Sequence, residues 1–140
     1  MNPTDNCSRR NKKEKQVNKI LAIEDDPFLR NNICELLANE GYEIDSAGNG
    51  KIGLEKAKKI LPDLIISDIM MPDMDGFKVL EELRRNLNTA AIPFIFITAR
   101  IEMENFKRGM NLGADYYLFK PFDVCDLLYA VQTSLKKRDE

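Results

Sequence analysis

Histidine is absent from the 140-residue sequence, cysteine occurs three times, and there is no long apolar run. Each shortage removes a class of function. Without imidazole the chain cannot build a Ser-His-Asp triad, a His-ligated zinc site, a histidine general base or a phosphohistidine of its own. Its chemistry must run on carboxylates, lysine, hydroxyls, backbone groups or a hard metal ion. The cysteines, Cys7, Cys34 and Cys125, are odd in number, far apart and without a CxxC pair. Neither a disulfide framework nor a zinc or thioredoxin-like site is indicated, and Cys34 and Cys125 read as small core residues beside apolar helix faces. No stretch approaches the roughly 18 consecutive apolar residues of a membrane span. The polar opening from Met1 to Gln16 also lacks the apolar region of a signal peptide. The expected compartment is a reducing cytoplasm, with no membrane partner.

What is present suits one domain. The composition, 44% hydrophobic and 31% charged with seven Gly and six Pro, supplies a core and is too balanced for a disordered or fibrous chain. The net charge of −2 is unevenly spread: residues 1–18 hold Arg9, Arg10, Lys12, Lys13 and Lys15 against Asp5 and Glu14, which leaves the rest at −5. An acidic body argues against direct nucleic-acid binding, where affinity rests on neutralising phosphates. The basic stretch reads as a solvated extension. The division is therefore a tail over 1–18, a folded domain over 19–137, and a charged end over 138–140 with the character of a linker.

Within the domain, apolar runs alternate with helical periodicity. Lys19 to Ile23 is a short run ending in Glu24-Asp25-Asp26, the pattern of a buried parallel strand with an acidic carboxyl end. Asp26-Pro27 supplies an N-cap and a first-turn proline, and Leu29, Ile33, Leu36, Leu37 and Glu40 follow at helical spacing until Gly41. The unit repeats as a strand over 42–47, a helix over 50–61, a strand over 64–67 ending in Asp68, and a helix over 77–87 with Phe77, Leu80, Leu83 and Leu87 on one face. A strand over 92–97 ends in Thr98, a weaker helix spans 103–112, and a strand over 116–119 ends in Lys120. Val124, Leu127, Leu128, Val131 and Leu135 trace a last amphipathic helix. Five βα units with near-continuous apolar strands predict an α/β fold, a doubly wound five-stranded parallel sheet covered on both faces.

In such sheets ligands bind beyond the carboxyl ends of the strands. There the spacing places Glu24, Asp25 and Asp26 after the first strand, Asp68 after the third, Thr98 after the fourth and Lys120 after the fifth. Converging carboxylates repel by about 4 kcal/mol per pair at 4 Å and an effective dielectric of 20. They need cations. Lys120 is one, and Mg2+, with Mn2+ as a possible substitute, is the hard ion that takes carboxylates and keeps exchangeable waters. An ionised Asp68 is then a competent nucleophile toward a phosphoryl group, with Lys120 and the Thr98 hydroxyl placed to meet its oxygens.

The stretches ILAIEDDPFLR, PDLIISDIMMPDMDGF, PFIFITAR and GADYYLFKPF, in this order and each at a strand end, resemble a response-regulator receiver domain of two-component signal transduction. The resemblance spans about Lys19 to Lys137. It implies a flavodoxin-like, chemotaxis-receiver-like fold with strand order 2-1-3-4-5. It makes Asp68 the phosphoacceptor, Asp25 a direct Mg2+ ligand, Glu24 a ligand acting mostly through water, and the backbone carbonyl of Met70 a further one. Thr98 becomes the switch hydroxyl, Lys120 the phosphate partner, Tyr117 the aromatic switch, and Pro121 a residue preceded by a cis peptide. The implied donor is a histidine kinase or a histidine phosphotransfer protein, which supplies the missing histidine. The readout face is residues 103–137, where Met103, Phe106, Met110 and Tyr117 would form a partner or homodimer surface. The domain is then a signalling module rather than an enzyme, catalysing only its own phosphorylation and slow dephosphorylation.

Two departures matter. The acid pair is Glu24-Asp25 where two aspartates are commoner. Met70 and Arg100 flank the path of the hydrolytic water in this family, and a bulky thioether with a long cation there implies a slowly hydrolysing phosphoform. Asp73 and Asp75 read as turn and cap formers, and Met70-Met71 as packing, since no Cys or His accompanies the pair. The competing function is a pseudo-receiver, an interaction module working without phosphorylation. A dehalogenase-type phosphatase would want a second acid two residues after Asp68, where Met70 stands, and a P-loop is absent.

Overall fold

Short apolar runs form five parallel strands, and the amphipathic segments between them form five helices. The computed structural model describes residues 17–99 and 106–138. The elements are β1 (Lys19–Ile23), α1 (Pro27–Asn39), β2 (Glu43–Ala47), α2 (Gly50–Ile60), β3 (Leu64–Asp68), α3 (Gly76–Arg85), β4 (Phe94–Ala99), α4 (Phe106–Asn111), β5 (Tyr116–Lys120) and α5 (Val124–Arg138). The sheet order is β2-β1-β3-β4-β5, all parallel, as the resemblance implied.

Because strand side chains alternate, each central strand feeds two cores. Leu21, Ile23, Ile65, Phe94, Phe96 and Tyr117 face one layer with Leu54, Phe77, Leu80 and Leu83 from α2 and α3. Ile20, Ala22, Leu64, Ile66, Ile95, Ile97 and Leu118 face the other with Ile33 and Leu37 from α1 and Leu127, Leu128 and Val131 from α5. The helix starts follow their caps. Asp26 accepts from Phe28 N–H, Asn49 from Ile52 N–H and Asp75 from Lys78 N–H, so Asp75 caps as expected. Asp73 takes the turn role with φ of 70°.

Three expectations change. Leu87 is not on the buried face of α3. The helix ends at Arg85, Asn86 turns extended, and Thr89 donates to Leu83 O at 2.7 Å, which leaves Leu87 in the following loop and 97% exposed. The fourth strand starts two residues later than the apolar run, at Phe94, because Pro93 cannot donate to a ladder. Cys34 is a free, half-buried thiol on α1, whereas Cys125 is disulfide-bonded to a residue outside the described ones. No helix among the described residues is long and apolar enough to cross a membrane.

The edge of the sheet opposite the strand carboxyl ends is tied by Arg84. Its guanidinium donates to Ile92 O and Gly113 O, each at 2.8 Å, and lies 3.5 Å from Asp115, whose carboxylate accepts from Phe94 N–H. Removing it leaves two carbonyls without their donor and Asp115 with the exposed Lys137, 3.7 Å away, as its remaining cation. Arg84→Ala should destabilise the domain by about 2–4 kcal/mol in urea unfolding. A loss below about 0.5 kcal/mol would place this cluster among ordinary surface ion pairs.

Candidate functional site

The sequence places carboxylates at the ends of β1 and β3, and parallel pairing brings those ends side by side, since Ile23 is in register with Ser67. Asp68 closes β3 and is 6% exposed; Glu24, one residue past β1, is 1% exposed. Oxygens of Glu24, Asp25 and Asp68 lie within 4.8 Å of one another. From the far side of β4, Lys120 at the end of β5 reaches in. Its Nζ is 3.4 Å from Asp68 Oδ2 and 3.4 Å from Glu24 Oε1.

Each carboxylate is held from behind. Asp68 Oδ1 accepts from Ile69 N–H at 2.8 Å, leaving Oδ2 toward Lys120. Glu24 Oε2 accepts from Asp26 N–H at 3.1 Å. Glu24 Oε1 is buried, and apart from the ion-pair approach of Lys120 it has no hydrogen-bond partner. The loop after β3 folds back so closely that Gly76 N–H donates to Ile69 O at 2.8 Å, and a Cβ on Gly76 would overlap Asp68 O. The glycine of the MDGF stretch is therefore a requirement for this approach.

Crowding of like charge sets the protonation. Burial first, and the Asp68 charge second, push Glu24 up to about 7. Burial raises Asp68 as well, while Lys120 and Glu24 pull it back. The two carboxylates raise Lys120 against its own desolvation. Both acids are therefore held above the ordinary carboxylate range, and their protons belong to the pair.

These residues suit a hard divalent ion. All donors are oxygens, one of them is an orphaned buried carboxylate atom, and the 4.8 Å spread is close to the ~4.2 Å separating opposite ligands of Mg2+. Glu24, Asp25 and Asp68 would hold it. Met70, whose carbonyl was expected to contribute, has its side chain 60% exposed at the mouth.

The remaining expected residues fall into two groups. Thr98 is fully buried on β4, one residue beyond Ile97, the register partner of Asp68, and its hydroxyl lies 3.5 Å from Ala99 O. The Lys120–Pro121 bond is cis. Tyr117 is turned inward, 8% exposed, with its ring 5.3 Å from Phe96 and 6.0 Å from Phe119. Burial raises its phenol, and a contact with the Gly109 backbone lowers it in part. Arg100 and Met103 lie outside the described residues. On the readout face Met110 is exposed, while Tyr117 is not.

Sequence reasoning missed Gly109. A Cβ there would overlap the Tyr117 hydroxyl, so this glycine of α4 is the slot that admits the inward phenol. A lone glycine in a weakly periodic helix gives no sign of which side chain it makes room for.

A family model described as the response regulator receiver domain matches residues 20–132. The chain is 40% identical over 121 residues to the DNA-binding dual master transcriptional regulator RpaA of Synechocystis, covering 86% of this chain and 50% of that protein. It spans about half the length of this and several other curated relatives. Among solved structures it is similar to the chemotaxis response regulator CheY4 of Vibrio cholerae, with 33% identity, a TM-score of 0.81, and 85% and 99% of the two chains covered. The receiver domain of a sensor histidine kinase of Pseudomonas aeruginosa, described with a magnesium ion coordinated in its active-site cleft, is 26% identical with a TM-score of 0.79, covering 86% and 99%.

The raised Glu24 carboxyl has a consequence for stability. Between the ordinary value of 4.5 and about 7 the folded chain keeps a proton that the unfolded chain has lost. Metal-free stability should therefore be highest below about 4.5 with respect to this group and fall as pH rises through 7, by on the order of 3 kcal/mol. Glu24→Gln should flatten that slope in urea unfolding at stepped pH. An unchanged slope would remove Glu24 as its source.

Proposed function

The chain belongs to the response regulator receiver domain family, and from that premise we propose that it is a phosphoacceptor. It takes one phosphoryl group onto Asp68 from the phosphohistidine of a histidine kinase or histidine phosphotransfer protein, and changes shape in response. The observation that carries this is the buried Asp68 carboxylate with Lys120 Nζ 3.4 Å from its Oδ2 and two further acids beside it. Receiver domains are signalling domains rather than enzymes, and the chain without histidine receives the group rather than originating it.

Ile69 N–H holds Asp68 Oδ1 and orients the carboxylate, so Oδ2 is the attacking atom. A P–O bond forms at Oδ2 as the P–N bond to the donor imidazole breaks, and the departing ring nitrogen keeps the electron pair. Lys120 neutralises the charge on the phosphoryl oxygens, positioning and charge being the main needs of phosphoryl transfer. Glu24, Asp25 and Asp68, with the Met70 carbonyl, would hold a Mg2+ ion, which would supply further neutralisation of that charge. The Thr98 hydroxyl then donates to one phosphoryl oxygen, and the inward position of Tyr117, already populated in the resting chain, is favoured further, which shifts a two-state equilibrium. Met70 and Arg100 shield the acyl phosphate from water and lengthen its lifetime. The readout lies on residues 103–137, toward a partner or a second copy, in the cytoplasm. The pseudo-receiver reading is disfavoured because Glu24 and Asp68 are both within ion-pair reach of Lys120, with Asp25 beside them.

Incubation with acetyl phosphate and Mg2+ should add one phosphoryl group by intact mass. Asp68→Asn and chelation of the metal should each abolish the gain, and Met70→Gly should shorten the lifetime several-fold. A folded wild-type chain that binds Mg2+ and gains no mass would establish the pseudo-receiver instead.

A further inference from the structure

The acid loop is clamped by a residue outside the expected site. Arg30 lies in the opening turn of α1, where its N–H donates to Asp26 O, and its guanidinium turns back so that Nη1 donates to Glu24 O at 2.8 Å. A cation in the first turn of a helix opposes the macrodipole, which the Asp26 cap offsets in part. What the arginine gains at this position is its contact with the loop. Glu24 N–H donates to Ala47 O at 3.0 Å, so the peptide groups on both sides of Glu24 are pinned, one by β2 and one by Arg30. With Oε2 held by Asp26 N–H, the only atom of Glu24 left to a cation is Oε1.

Gly48 completes the arrangement. A Cβ there would come within 3.1 Å of Arg30 Nη1 and 3.7 Å of Cζ, so its missing side chain is the space through which the guanidinium reaches the loop. Gly48 itself touches none of the acids.

We propose that Arg30, seated by Gly48, is a positioning residue that preorganises Glu24 and Asp25 for the divalent cation and so sets cation affinity. The proposal rests on the Mg2+-binding receiver reading above. Preorganised ligands bind tighter because less ordering remains to be done on binding.

The test is calorimetric titration of Mg2+ into the full chain, with metal-free melting measured in parallel. Arg30→Met should weaken Mg2+ binding about tenfold, and Gly48→Ala should weaken it several-fold. In the Arg30→Met background, Gly48→Ala should change affinity no further, because it acts only through the guanidinium. A lowered melting temperature with unchanged Mg2+ affinity, or additive effects in the double variant, would overturn the proposal. If Arg30→Met does not fold, Gly48→Ala alone decides by the same affinity criterion. If wild type binds no Mg2+ at all, the receiver reading fails and the proposal with it, whereas wild-type binding matched by both variants defeats the proposal alone.

Discussion

Two carboxylates that cannot both be comfortably ionised, Glu24 and Asp68, are buried at adjacent strand ends with one ammonium, Lys120, 3.4 Å from each. At such separations the repulsion between the acids and the attraction of each to Lys120 are of similar size, several kcal/mol at an effective dielectric of about 20. Three pairwise interactions result, two attractive and one repulsive, and desolvation of the buried acids offsets the surplus attraction. In the absence of other charge Glu24 is pushed up to about 7. An added cation or phosphoryl group acts on every member of the cluster at once. Such an arrangement is poor at stabilising a fold and well suited to responding to a ligand.

The rest of the structure keeps these charges together. The parallel register lines up the strand ends, and the sharp return of the β3–α3 segment depends on Gly76. Arg84 ties the opposite end of the sheet, so stability and site chemistry sit at different ends of the same strands. The two faces are also unlike. The side covered by α1 and α5 is mostly aliphatic. The side covered by α2 and α3 carries a contiguous aromatic set, with Phe96 5.2 Å from Phe77, 4.9 Å from Phe94 and 5.3 Å from Tyr117. Tyr117 thus rests on rings anchored in the core and against a helix whose only accommodation for it is the missing side chain of Gly109. Its inward position depends on a glycine at 109.

Much of this was legible in the residues because the signals are local. A strand that is apolar to its last residue and then acidic, as at Ile23-Glu24 or Ser67-Asp68, announces both burial and the end of the sheet at which chemistry collects. The caps at Asp26 and Asp75 are set by neighbours two and three residues away. What could not be read depends on contacts between distant segments. Leu87 continues the apolar spacing of α3, yet the chain leaves the helix before reaching it, because Asn86 and Thr89 close the turn on Leu83 O. Gly48 and Gly109 matter for what they leave room for, and Arg30 for a carbonyl six residues back. None of these relations has a periodicity.

The absence of histidine completes the logic of the site. The 140 residues hold an acidic cluster and no imidazole, so in the proposed reaction the donor histidine would come from outside this domain. The mouth of the cluster is bordered by the exposed side chains of Met70 and Asp25, while Asp68 is 6% exposed. In the proposed reaction a phosphoryl group on Asp68 would add negative charge beside Glu24, and Lys120, shared between the two acids, could not serve the phosphoryl oxygens without weakening its hold on Glu24. The resting contacts would rearrange on that account, which gives the proposed shape change a physical source in a domain that otherwise has two well-packed cores.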